Sequence, residues 1–536
     1  MTTDNVLQPV SLSLTPYTGT WNTATAAHLL RRTMFGATYA QIQQAVTDGM
    51  TTTVSNLLTL PAQTFPLTYS PDEAVASFGS TWVNSLYPSS NVQATDNARR
   101  ASGAAWLMER CNQPGMNIKE KMCLFWINHF GVDANSEAKA VYQYMSLIED
   151  ACLGNFKQLI KDVTVKPLML QFLNGASNNY FAPNENYARE LLELYTVGKG
   201  PQIGPGDYST YTEDDVAAGA RILSGYTISD FFSSTVQGPN ATFTPILHDP
   251  GAKTLSAYFG SATLTNLGAA EADAYIDIIF NHPEFAKHIC RKLYRWFVNY
   301  DLTATVETTV INDMAATLVA NSFEILPVLD ELLKSEHFYD MSVRGAIIKN
   351  PLECLFSMIN VTGSMPGYDL ATNYEMYLNV YYAAATLGMD YFTPPSVGGW
   401  TAYYQTPSYS KLWANSSYIK LRFDVGAFLT VTNGIQVNGN YFKLNCLNFL
   451  DGLSNPSDPV DVIDDMITVF TPKGVSAATK IMLKAILCNG QPDFEWTVQY
   501  NEYLADPGNT TFSTPVRQRV EFTLYRLFQL PEFQTI

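Results

Sequence analysis

NENYARELLELYTVGKG, residues 184–200, and YTEDDVAAGARILSGY, residues 211–226, decide how this chain is read. Each implies a helix dense in paired charge, in a sequence of which only 15% is charged. At about 100° per residue, Asn186 lies about 40°, Glu193 about 60° and Arg189 about 100° from Glu190, so the four share one stripe. Tyr187, Leu191, Leu192 and Leu194 cover the rest, which predicts burial on most sides of the helix. Two carboxylates one turn apart can bridge a metal or work as an acid/base pair. They can equally tie helices together, with Arg189 and Glu193 paired at i,i+4 and Glu190 bound to a neighbour. In the second helix Thr212 is a natural N-cap, with Asp215 at the third helical position. Glu213 and Asp214 favour the positive end of that helix. Capping accounts for these acids and leaves Arg221, deeper in the helix, unexplained.

Outward from this pair the helical pattern is sustained. Asn22 or Thr23 caps AAHLLRRTMF before Gly36, and a second helix runs from near Thr38 to Gly49. Residues 60–90 read as a long loop. From Asn91 onward, segments such as NIKEKMCLFWINHF and SEAKAVYQYMSLIEDACLG carry apolar residues at three- and four-residue spacing. The expected fold is mainly α: a large multi-helix globular body with a small β-hairpin insertion near 227–247. There, β-branched and aromatic residues flank a Gly238-Pro239-Asn240 turn. Residues 1–20 read as an extended N-terminal arm, 21–400 as the main α-helical domain, and 401–536 as a C-terminal helical region packed on it. Pro394-Pro395 and Gly398-Gly399-Trp400 mark an ordered loop.

Composition removes several functions. The 536 residues carry 32 basic and 49 acidic side chains, a net charge of −17. That argues against a nucleic-acid partner, which calls for a basic surface. No apolar run is long enough to span a bilayer. The N-terminus lacks the basic and apolar regions of a standard signal peptide. Seven scattered cysteines without a CxxC pair argue against a disulfide framework or zinc–thiolate site and predict buried apolar fillers. The absence of Walker A, GxGxxG, GxSxG and HExxH patterns makes a nucleotide cofactor and standard triad chemistry poor expectations. The 31 tyrosines and 29 phenylalanines suit a core, and also saccharide or partner surfaces.

Six histidines remain to be placed. His129 ends the aromatic helix LFWINHF, where an imidazole must be hydrogen-bonded. His248 and Asp249, in ILHDPGAKT, put two ligand types on a tight turn with Lys253 close by. The alternative is a turn in which Asp249 satisfies local backbone amides. His282 reads as a helix cap before Pro283; His28, His288 and His337 read as helix-face residues.

An ordered series of motifs then resembles a known family. HLLRRTMFG at 28–36, WINHF at 126–130, the two opening stretches, HDPGAKT at 248–254, HPEFAKHICRKLYRWFV at 282–298 and PPSVGGW at 394–400 are similar to the uncharacterised bacterial domain of unknown function 1800, in its Bacteroidetes-type branch. The resemblance implies a mainly α-helical protein, a gene neighbourhood shared with a sulfatase-like family (domain of unknown function 1501), and export or a cell-surface location. It implies no established activity. It adds weight to His129, Arg189, Glu190, Glu193, Asp215, Arg221, His248 and Asp249, which occupy its motifs.

The leading expectation is a hydrolase-type enzyme with a polar pocket between helices. Glu190, Glu193, His129, His248 and Asp249 are its candidate acid/base groups. Glu190, Glu193, His248 and Asp249 are candidate ligands for a divalent metal, and Arg189, Arg221, Asn186 and Lys253 are candidate binding residues. The rivals are a non-catalytic binding or assembly protein that docks the sulfatase-like partner, and a saccharide-binding protein using exposed tyrosine and tryptophan.

Overall fold

The computed structural model describes residues 12–112, 115–133 and 135–536. It is mainly α. Capping chemistry starts many of the helices. Asn22 accepts from the N–H groups of Ala24 and Thr25 and opens the helix Thr23–Thr33, and its own N–H donates in return to the Thr25 hydroxyl. Thr212 and Asp215 form the same device at the head of Glu213–Ile222. Of the expected arm, residues 1–11 lie outside the described residues. Residues 12–20 contain no helix, and the Tyr17 N–H donates to the Lys334 carbonyl at 2.7 Å.

One hydrophobic cluster runs from Leu14 to Phe533 and takes in side chains from both sides of residue 400. The two parts also share polar ties. Arg31 donates to the Thr468 carbonyl at 2.9 Å, and Arg422 to the Lys349 carbonyl at 2.7 Å. All seven cysteines are free and buried. Among the described residues no helix is long and apolar enough to cross a membrane.

Three details differ from the sequence reading. The helix Tyr39–Leu57 does not stop at Gly49. That residue takes φ 78°, ψ 161°, a conformation open to glycine, and the helix resumes to bury Val54 and Leu57. The hairpin pairs Tyr226–Ser229 with Asn240–Phe243, joining Tyr226 to Phe243, so Asn240 already belongs to the second strand and Gly238 and Pro239 end a longer connection instead of centring the turn. Two other short antiparallel pairs, Lys253–Thr254 with Thr263–Leu264 and Ile435–Val437 with Asn440–Phe442, carried no hairpin signal in the reading above.

Candidate functional site

The opening stripe is not one regular helix. Glu185–Glu190 is α-helical, and Leu191–Thr196 widens into a π-turn. The wider turn rotates Glu193 away from the position that a 100° step gives it. Arg189 therefore does not pair with Glu193. It forms a bidentate pair with Glu213, both bonds 2.7 Å, and also meets Glu185 at 3.1 Å. That pairing holds the Glu213 carboxyl below its usual range. Glu193 accepts instead from Lys199 at 3.0 Å and from the Tyr211 hydroxyl at 2.8 Å. Asn186 is exposed and donates to the Leu173 carbonyl at 3.2 Å. Glu190 enters none of these bonds; burial, and then Glu193, push its carboxyl up.

His248 and Asp249 belong to a second cluster. Asp249 takes Arg221 in a two-pronged pair at 2.6 and 3.3 Å, which holds its carboxyl below the usual range. His248 Nε2 lies 3.0 Å from Glu271, whose other oxygen is 2.7 Å from Lys253. Lys253 and Glu271 are both fully buried. The Ser224 hydroxyl is 3.3 Å from His248 Nδ1, so Ser224, His248 and Glu271 have the outline of a nucleophile–base–acid set. Its wiring is different. Nδ1 has the Ser224 carbonyl at 2.9 Å, while the hydroxyl donates to the Arg221 carbonyl at 2.7 Å and accepts from the Asp249 N–H. A nucleophile would have to give its proton to the imidazole; here it is spent on backbone. Ser224→Ala is expected to cost about 1–3 kcal/mol in chemical unfolding, because the buried Asp249 N–H loses its partner and the Arg221 carbonyl loses one of its donors. A phosphonate probe for nucleophilic serines should leave Ser224 unlabelled.

His129 lies in a third cluster. Lys292 donates to His129 Nδ1 at 2.9 Å and to the Leu194 carbonyl at 2.7 Å, which also meets His288 Nε2 at 3.0 Å. That carbonyl belongs to the π-turn. Burial pushes both imidazoles down and the Lys292 amine down to about 7. The residue before His129 holds the PPSVGGW loop: Asn128 accepts from the Trp400 N–H at 3.0 Å, and a Cβ on Gly399 would come 2.3 Å from the Asn128 carbonyl. Among the described residues, no hydrogen bond or ion pair joins His129, His248 or Asp249 to Glu190 or Glu193. Nor, among them, is any group of three or more His, Cys, Asp and Glu side chains placed to hold a metal ion.

A cleft lined by aromatic side chains lies elsewhere. A cleft of ≈ 410 Å³ opens between the helices Val92–Cys111, Ala138–Ala151 and Leu370–Thr386. Trp82, Trp106, Tyr142, Tyr381, Tyr382 and Phe392 supply aromatic rings; Asn97, Asn135, Thr393 and Asp390 supply polar groups. Two rings are pinned by their indole N–H, Trp82 to the Ser102 hydroxyl and Trp106 to the Thr64 hydroxyl, each at 2.9 Å. Tyr142 meets Trp82 at a centroid distance of 5.9 Å and 70°, so the lining is angled, not flat. Tyr382 is 57% exposed and Tyr142, Tyr381 and Phe392 are half-buried, leaving ring surface for a ligand.

Gly103 lines the same cleft. It stands inside the helix Val92–Cys111, where glycine costs about 1 kcal/mol relative to alanine. A Cβ there would meet nothing within 4 Å. No protein neighbour calls for the missing side chain; the space belongs to the cleft. In the sequence these residues are scattered, with the run ARRASGAAW at 98–106 and the Tyr381-Tyr382 pair as local traces.

No curated protein and no solved structure matches this chain. The family model described as "Protein of unknown function (DUF1800)" matches residues 28–535, and the chain belongs to that family.

Proposed function

We propose that the chain is a saccharide-binding protein with the aromatic cleft as its site. The cleft itself carries the reading: ring surfaces accompanied by amide, hydroxyl and carboxylate groups in ≈ 410 Å³. A sugar offers apolar C–H faces to such rings and a belt of hydroxyls to such polar groups. The angled rings favour a sugar held between walls over one laid on a flat platform. Among the described residues Asp390 is the single carboxylate of the lining. Most glycoside hydrolysis uses a pair of carboxyl groups, roughly 5–9.5 Å apart, so the lining favours binding over cleavage. A hydrolytic use of Glu190, Glu193, His129, His248 and Asp249 has less support, because each except Glu190 already has a polar partner.

The test is to fill the cleft without harming the fold. Gly103→Leu places a better helix former where an added Cβ meets nothing within 4 Å. Thermal stability is expected to hold or rise, while binding of a panel of glucose, glucosamine and galacturonate oligosaccharides is lost by titration calorimetry. Tyr382→Ala should weaken binding by about 0.5–1.5 kcal/mol, the worth of one aromatic contact, and leave unfolding unchanged. A wild-type protein that ignores every oligosaccharide, or a Gly103→Leu protein that binds as well as wild type, overturns the proposal.

A further inference from the structure

We infer that the cleft takes a saccharide bearing an amino group, and that Asp390 selects it; the inference rests on the saccharide reading above. It follows from how the lining charges are neutralised. Arg99 lies 2.7 Å from Glu73, both side chains at most 2% exposed. Arg100 lies 2.7 Å from Asp96, whose side chain is fully buried. Each cation of the lining thus brings its own acid. Asp390 differs: its Oδ1 accepts from the Tyr381 hydroxyl and, at 3.3 Å, from the Phe392 N–H, which are both neutral donors. Among the described residues no ion pair is formed by Asp390, and these bonds leave Oδ2 for a ligand.

The rings around Asp390 favour the same sign. Tyr381 has Tyr382 at a centroid distance of 5.7 Å and Phe392 at 5.9 Å. Aromatic faces are negative and attract cations, and a carboxylate bonds an ammonium with charge assistance. A protonated sugar amine meets both, while its pyranose ring lies on the aromatic wall. A neutral sugar keeps only the wall and ordinary hydrogen bonds. A uronic acid sets its carboxylate against an uncompensated one in a partly desolvated cleft, which disfavours it.

Calorimetric titration with glucosamine, glucose and galacturonate oligomers of equal length, below the pKa of the sugar amine, tests this. The glucosamine oligomer is expected to bind about tenfold tighter than the glucose oligomer, a difference of about 1.4 kcal/mol, and galacturonate weakest. Asp390→Asn keeps an oxygen for Tyr381 and Phe392 and removes the charge. It should bring the glucosamine and glucose affinities within about threefold. Equal wild-type affinities, a preference for galacturonate, or a preference that survives Asp390→Asn overturns the assignment and leaves the saccharide reading standing. Failure of all three oligomers to bind wild type overturns the reading beneath it.

Discussion

Glu271→Ala is expected to destabilise the protein by about 3–5 kcal/mol, the usual cost of removing one member of a buried ion pair. The carboxylate sits at the centre of the second cluster. One oxygen takes His248 at 3.0 Å and the Leu267 N–H at 3.3 Å; the other faces Lys253 at 2.7 Å. With Lys253 and Glu271 at 0% exposure and His248 at 4%, water cannot replace what is lost. Lys253 would keep the Asp249 carbonyl as a partner but no opposite charge. The burden falls on the joint between the helical body and the segment 226–264, because His248 and Lys253 sit there and Glu271 heads the helix Ala270–Ile279. Urea unfolding gives the magnitude, and amide exchange shows whether the hairpin region opens first. Glu271→Leu combined with Lys253→Met removes both charges and should recover most of the loss. A single alanine variant within about 1 kcal/mol of wild type would contradict a dry ion pair.

Most of the helical architecture was legible because its determinants are local. Asn22 and Thr212 cap helices through residues within three positions, and apolar spacing marks the buried faces. The π-turn at Leu191–Thr196 was not legible, because its turned-out Leu194 carbonyl is satisfied by Lys292, 98 residues away. Charge types could be read, but not their partners. Arg189 finds Glu213 across 24 residues instead of Glu193 on its own helix, Asp249 finds Arg221 across 28, and His248 finds Glu271 across 23. Each choice depends on how helices pack, which periodicity does not encode. The cleft was less visible still. Trp82 and Gly103, then Tyr142, then the neighbours Tyr382 and Asp390 come from separate stretches of the chain. None forms a motif, and tyrosine and tryptophan read as core until their exposed surface is known.

The family motifs acquire a physical meaning from this packing. WINHF receives the PPSVGGW loop through Asn128, and through His129 it reaches Lys292 of HPEFAKHICRKLYRWFV, which in turn holds the π-turn of the opening stretch. HDPGAKT is locked to YTEDDVAAGARILSGY through Asp249 and Arg221. Each of these segments contributes one side of a contact whose other side is another of them, whereas HLLRRTMFG reaches the carbonyls of Phe338, Val343 and Thr468. The cleft lies outside most of them, on helices built from small and aromatic residues.

Lys349→Met should remove a large pH-dependent penalty from the joint between residues 349–361 and the C-terminal helices. Lys349 is 1% exposed, donates to the Ser357 hydroxyl at 3.2 Å and stands 3.7 Å above the Phe533 ring. Burial brings its amine from an ordinary 10.5 down to about 7. Below that pH the folded and unfolded chains both carry the proton, and the full cost of burying the charge is present. Between about 7 and 10.5 the folded protein gives up the proton while the unfolded chain keeps it. The unfolded state then binds more protons, so stability rises with pH across this window. The shift corresponds to a penalty on the order of 5 kcal/mol at the acid end. Methionine fills a similar volume without a charge, at the cost of the Ser357 bond and the contact of the ammonium with the ring. The variant is therefore expected to gain most below pH about 7, and its advantage should shrink steadily toward 10.5. Subtracting the two stability–pH curves, measured by urea unfolding, cancels the other titrating groups. A difference that is flat across the window would mean that Lys349 keeps its charge in the folded protein, sustained by a counter-charge stronger than the nearby Glu353.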